Sequence, residues 1–283
     1  MGETAFVDID HLMVSVADSE EAGVLFERMG FTATPRSQMP GLSNRLISFP
    51  QLRHGAANFI ELMALDDAEK AIPLMPAILR PAGRPVSMVL SSADAEASAR
   101  ALRGRGYAAE GPVPIQRDWV LPSGETIRPS FAVVIPRPGQ SPFYWNLCQY
   151  RTIEHYLRPD FTSRANGVSR MTAIIAVADD PEAVAAHYVD VWGAGRDDGR
   201  PIALRIGAVA LRILTPDEAE AEFPGAALAG GGDRLVGFAV AHPQPADFAG
   251  RLRQSGFAPR EAGGRTWLPP DQAAGCLMVV EAG

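Results

Sequence analysis

The pattern of apolar and polar positions near the start of the chain predicts a strand, a helix and a turn in quick succession. Asp10-His11-Leu12-Met13-Val14-Ser15-Val16-Ala17-Asp18 mixes the two kinds of position as a strand does, and it ends on an aspartate suited to cap a helix. From Ser19 to Met29 the apolar residues Ala22, Leu25, Phe26 and Met29 return at helical spacing. Gly30-Phe31 then stops the helix, glycine being the residue that enters the left-handed conformation at no steric cost.

The same pattern returns three more times. Val86 to Asp94 is a strand and cap, followed by a helix to Arg105 and Gly106-Tyr107. Ser169 to Asp179 is a strand and cap, followed by a helix through Val184, Tyr188 and Val191 and then Gly193. Leu235 to Ala241 is a strand, followed by a helix through Phe248 and Leu252 and then Gly256-Phe257. Strand-like stretches come after each glycine. They are 32–35, 45–49 and 57–63 in the first unit, 131–135 and 143–149 in the second, 201–206 and 208–214 in the third, and 265–268 and 275–281 in the fourth.

Four βαβββ modules are predicted, with Pro/Gly-rich linkers at 79–85 and 224–232. A single module cannot cover its own sheet, so the modules should pair, two to each curved mixed sheet, in an α+β fold. The expected division is 1–150 for the first pair, 151–167 for a linker and 168–283 for the second pair.

Composition narrows the function. In 283 residues the chain is 47% hydrophobic and 21% charged, the balance of a globular protein that buries a substantial core. A net charge of −7, without basic clusters, argues against nucleic acid as a partner. No basic segment followed by an apolar one opens the sequence, and no apolar run reaches the roughly 18 residues of a membrane helix, so the cytoplasm is the expected compartment and no membrane partner is expected. Cys148 and Cys276 lie far apart, fit no metal-binding spacing and read as buried reduced thiols.

With these modules on the page, the chain resembles the vicinal-oxygen-chelate superfamily, the glyoxalase, bleomycin-resistance and extradiol dioxygenase type. The likeness is carried by Ile9-Asp10-His11-Leu12, Gly30-Phe31, Asn44-Arg45-Leu46-Ile47 and Phe59-Ile60-Glu61-Leu62, and by the junction from Cys148-Gln149-Tyr150 through Leu157-Arg158-Pro159 to Ser163-Arg164-Ala165-Asn166-Gly167. The resemblance implies one divalent ion, Fe, Mn, Ni or Zn, in the cup of a module pair, held by side chains of the first and last strands. His11 and Glu61 stand at such positions, and relatives tend to carry histidine where this chain has Tyr150.

Aligning the modules on their strand-end alanines puts Ser87, Thr172 and Leu235 at the place of His11, and Arg212 and Glu281 at the place of Glu61. Along the last strand of the second module, Tyr144, Asn146, Cys148 and Tyr150 share one face, expected to line the cup, and Phe143, Trp145 and Leu147 share the other. His11, Glu61 and Tyr150 are therefore the candidate catalytic residues, Tyr150 as a general acid. Asn146, Cys148 and Ser87 are candidates for substrate contact. His155 is an alternative third ligand, while His54, His187 and His242 are expected on the surface and Arg212 in an ion pair or anion contact. A lone histidine on a strand is more often structural, but a carboxylate in Phe59-Ile60-Glu61-Leu62-Met63 must meet a cation, and the two residues answer each other.

Two functions fit. One is an enzyme acting on a small oxygenated organic molecule by isomerase, lyase or ring-cleaving dioxygenase chemistry, with His11 and Glu61 holding a metal or forming an acid–base pair. The other is a non-catalytic protein that sequesters an aromatic ligand against Tyr144 or Tyr150. Exposed sheet edges leave room for a homodimer.

Overall fold

Helix caps and turn glycines mark out the modules in the computed structural model, which describes residues 5–228 and 231–283. Residues 1–4 of the expected first half and residues 229 and 230 of the expected 224–232 linker lie outside it. Asp18 accepts from the backbone N–H groups of Glu20 at 2.6 Å and Glu21 at 3.1 Å, Asp94 from Ala97 at 2.9 Å and Asp180 from Ala183 at 3.0 Å. In the third module the cap is thus Asp180 rather than Asp179, and the fourth helix starts on Pro245, with no side-chain cap. Gly30, Gly106, Gly193 and Gly256 all have φ between 67° and 84°, the left-handed turn that the sequence assigns to them.

The first module runs β1 (Phe6–Val16), α1 (Ser19–Arg28), β2 (Ser37–Met39), β3 (Leu42–Ser48) and β4 (Phe59–Leu65), and leads into the short α2 (Leu74–Leu79). The second runs β5 (Arg84–Ser92), α3 (Ala95–Gly104), β6 (Ala109–Gln116), a small hairpin of β7 (Trp119–Val120) and β8 (Thr126–Ile127), β9 (Ser130–Pro136) and β10 (Trp145–Tyr150). The short α4 (Pro159–Thr162) precedes the third module, β11 (Arg170–Val177), α5 (Pro181–Trp192), β12 (Gly195–Asp197), β13 (Ile202–Arg205) and β14 (Ala210–Leu214). After α6 (Pro216–Glu222) come β15 (Arg234–His242), α7 (Pro245–Gln254), β16 (Arg260–Ala262), β17 (Arg265–Leu268) and β18 (Leu277–Ala282).

Modules pair within sheets as expected. The two eight-stranded sheets have the orders β2-β3-β4-β1-β5-β10-β9-β6 and β12-β13-β14-β11-β15-β18-β17-β16, one topology used twice. In each, the two opening strands run antiparallel side by side at the centre, and each pairs in parallel with the last strand of its own module. The stretch expected as a strand at 32–35 makes only an isolated bridge, Ala33 to Ile47, and β2 begins at Ser37 instead. Strand β6 was missed in the sequence because Pro112 and Pro114 remove ladder donors. It is tolerated at the sheet edge, where its pairing with β9 is bulged between Glu110 and Val113.

One core joins the halves. Phe26 of α1 packs against Phe238 of β15, Phe31 against Phe248 of α7, and Trp145 of β10 edge-on to Trp192 of α5. Polar clamps fix the same seam: the Asp8 carboxylate accepts from the N–H groups of Ala208 at 2.8 Å and Val209 at 3.0 Å, and Asn58 accepts from Met171 at 2.9 Å. Among the described residues, no helix is long and apolar enough to cross a membrane.

Candidate functional site

The first sheet carries a cavity of about 180 Å³ on its concave face, roofed by Leu74, Met75 and Ile78 of α2. His11, Glu61, Asn44, Asn146, Cys148 and Tyr150 all line it. Phe143, Trp145 and Leu147 lie instead in the core that joins the halves. The cavity is apolar toward α2, through Leu42, Met63 and Val133, and its charged lining residues are His11, Glu61 and Arg117.

The polar end is built on an irregularity of β1. Ile9 pairs with Leu90 and His11 with Val89, so Asp10 is an extra residue, a β-bulge. In a regular strand Asp10 and His11 would face opposite sides. Here the Asp10 carboxylate turns back to its neighbour, and its Oδ1 accepts from His11 Nδ1 at 2.7 Å and from the Tyr150 hydroxyl at 2.7 Å. Its Oδ2 accepts from the Ala57 N–H at 2.7 Å. The imidazole is stacked on Phe59, with centroids 4.0 Å apart and planes 15° apart.

On its free side, His11 Nε2 faces Glu61 Oε2 at 3.6 Å, too far for a good hydrogen bond. Glu61 Oε1 accepts from Asn44 Nδ2 at 2.6 Å. Burial disfavours an imidazolium here, but the carboxylates of Asp10 and Glu61, one at each ring nitrogen, outweigh it and raise the His11 pKa from 6.5 to about 9. Burial would push Glu61 up, yet His11, the Asn44 amide and the Arg117 charge hold it below the ordinary carboxylate value. Burial, reinforced by Asp10, drives Cys148 and Tyr150 well above their usual values, so both are protonated at neutral pH.

Ser87 lies outside the cavity lining: it sits opposite Met13, its hydroxyl turned to the Met88 carbonyl, and Val89 lines the cup in its stead. The bulge explains this misplacement, since alignment by counting residues drifts across an inserted one. It also corrects the third module, where Thr172 is the bulged residue and matches Asp10, while Ala173 matches His11. There Thr172 bonds Glu281 at 3.0 Å, and Arg212 grips the same carboxylate, Nη2 to Oε2 at 2.9 Å. That ion pair fulfils the expectation for Arg212, and the apolar cluster around Ile175, Phe223 and Trp267 fills the space beside it.

His155 sits in a 3₁₀ turn and does not line the cavity. Of the histidines expected on the surface, His54 is exposed, His187 partly buried and His242 buried. His242 is 4% exposed, its Nε2 facing the Asn166 carbonyl at 2.9 Å, and His187 is half-buried against the Tyr107 hydroxyl at 2.6 Å. Asp10, Asn44, Arg117 and Tyr156, polar residues in or beside the cup, were missed as candidates.

For a divalent ion the donor set is short. His11 Nε2 and the Glu61 carboxylate converge, but among the described residues no third histidine, cysteine or carboxylate joins them in a metal-binding group. The remaining candidates are neutral amides, Asn44 and Asn146, whose buried Oδ1 atoms have no partner. A three-ligand site of the kind implied by the resemblance does not fit these side chains.

A family model described as a glyoxalase-like domain matches residues 9–192, and the chain belongs to that family. No curated protein matches the sequence. Among solved structures, a hypothetical protein from Staphylococcus aureus is similar with a TM-score of 0.65, covering 98% of this chain and 100% of that one at 11% identity. A fusion protein described as xylose isomerase-like TIM barrel/4-hydroxyphenylpyruvate dioxygenase gives 0.59, over 99% of this chain and 50% of that one, at 12% identity. A Mn(II)-bound glyoxalase from Novosphingobium aromaticivorans gives 0.53, over 99% and 82%, at 11% identity. At such identities the likeness is one of fold. Together with the family match, it bears out the glyoxalase-like, vicinal-oxygen-chelate architecture and leaves the reaction open.

Proposed function

We propose that the cup of the first sheet is an acid–base active site for a small oxygenated organic substrate, working by isomerase or lyase chemistry through an enolate. One observation carries this reading: the buried His11 imidazole and Glu61 carboxylate face each other at 3.6 Å in a largely apolar cavity, where their surroundings raise the His11 pKa and lower that of Glu61. Titratable groups held in opposite states side by side are the usual equipment for moving a proton.

In this scheme Glu61 takes a proton from the carbon next to a substrate carbonyl. The His11 Nε2–H donates to the carbonyl oxygen as negative charge develops there, and Glu61 returns the proton to the neighbouring carbon. A positioned base of this kind contributes on the order of 10²- to 10⁴-fold. Tyr150, expected as a general acid, gives its hydroxyl proton to Asp10 in a hydrogen bond and serves to hold the Asp10–His11 pair. Asn146 and Cys148 remain candidates for substrate contact.

The test is exchange in D₂O, followed by proton NMR, with a panel of hydroxy ketones and 2-oxo compounds. Deuterium should enter next to the carbonyl with the native protein and not with Glu61→Gln. If no compound exchanges, and ligands bind the native protein and Glu61→Gln alike, the sequestering alternative replaces this reading.

A further inference from the structure

We infer that Arg117 makes the cup a receptor for a carboxylate with a compact apolar body. Arg117 follows β6 and leads into the β7–β8 hairpin, which is anchored by Trp119, 1% exposed, packing on Phe161. The anchored hairpin directs the guanidinium into the cavity, where it lines the wall. It lies over the Trp119 ring at 5.5 Å, and Nη1 donates to the Ser37 hydroxyl at 2.7 Å. Its Nε is buried and donates to nothing, and among the described residues no carboxylate stands within ion-pair distance of it.

Among the described residues, twelve of the fourteen arginine or lysine ion pairs have at least one exposed partner, so each of these can be served by water. Arg117 has a desolvated donor and only neutral partners. Leaving such a donor unmade is costly. Glu61 is near enough to feel the Arg117 charge, but its own charge is met by His11 and Asn44. The guanidinium fork is left for an anion from outside the chain, and its planar pair of donors matches a carboxylate.

The rest of the cavity sets the body of that ligand. A void of about 150 Å³ lined by apolar side chains takes up benzene, so about 180 Å³, walled by Leu42, Met63, Val133 and Tyr144, suits one ring or a short alkyl chain. The proposal rests on the acid–base reading only for the position of the reacting carbon: with the carboxylate on Arg117, the adjoining carbons lie toward His11 and Glu61.

Calorimetry with two matched pairs tests it: phenylacetate against 2-phenylacetamide, and hexanoate against hexanamide. Each pair keeps its shape and differs in charge. The carboxylate of each pair is expected to bind about tenfold or more tighter than its amide. Arg117→Gln should erase that preference while leaving amide binding in place, and Arg117→Lys should keep part of it. Melting curves of both variants check the fold, and the native comparison stands if either fails to fold. Equal binding of acid and amide, a preference that survives Arg117→Gln, or no saturable binding of either carboxylate at millimolar concentration overturns the proposal. Binding is read without turnover, so a catalytically silent cup leaves this test intact, and a failed preference leaves the D₂O experiment to judge His11 and Glu61.

Discussion

Replacing Asp10 by asparagine removes one negative charge from His11 and almost no volume. The rise of the His11 pKa from 6.5 to about 9 corresponds to about 3 kcal/mol, at 1.36 kcal/mol per unit. Asp10 sits at 2.7 Å and Glu61 at 3.6 Å, so the larger share belongs to Asp10. In Asp10→Asn the His11 pKa should fall by more than about one unit, because burial, which opposes the charge, is then opposed by Glu61 alone. The sign for stability follows from linkage. A raised folded-state pKa stabilises fully below pH 6.5, and the contribution is lost as pH rises through about 9. The gap in unfolding free energy between native protein and variant should therefore be widest in mild acid and narrow in alkali. NMR titration of the ring C–H signals reads the pKa directly, with a His11→Gln spectrum picking His11 out of the five histidines. A His11 pKa that stays near 9 in Asp10→Asn, or a stability gap that ignores pH, would refute the reasoning.

Further outcomes are expected. Tyr150→Phe removes one donor to Asp10 and should cost about 1 kcal/mol in denaturant unfolding, with the cup still binding its ligand. Phe26→Ala should cost about 3–5 kcal/mol, since a fully buried ring shared by both halves is replaced by a void, and both sheets should unfold at a lower denaturant concentration together. Glu281→Gln should destabilise by about 1–3 kcal/mol at neutral pH. Burial raises the Glu281 pKa, but Arg212 and Thr172 more than offset this and leave it lowered, so the loss should fade as acid protonates the native carboxyl. Equilibrium dialysis of protein purified without a histidine tag should find no tightly held Mn(II). Near-stoichiometric metal lost in His11→Ala would contradict the donor-set argument.

The modules were legible because their punctuation is local: a capping aspartate, a helical stripe and a left-handed glycine each act within a few residues. What decided the site was not local. The Asp10 bulge is a mismatch between two strands more than seventy residues apart, and it reverses the side that simple alternation gives to Asp10. The same insertion moved the equivalence of His11 from Thr172 to Ala173. Strand β6 hid behind its prolines, and Arg117 stands in a connection whose direction depends on where Trp119 finds its pocket. His11 and Glu61 were legible through the family resemblance, and the need of a carboxylate in an apolar strand for a partner agrees with it.

The bulge in β1 has an exact-length counterpart in β11, and the two differ in what they present. One offers Asp10 and His11, the other Thr172 and Ala173. The distortion of the strand therefore does not depend on the charges it displays in the first sheet. It behaves as a socket of the architecture, filled by a carboxylate and an imidazole in one copy and by a threonine bound to Glu281 and an alanine in the other. Chemistry in such a chain can be rewritten by exchanging side chains at a fixed irregularity, while the second copy, relieved of that duty, is free to be packed for stability.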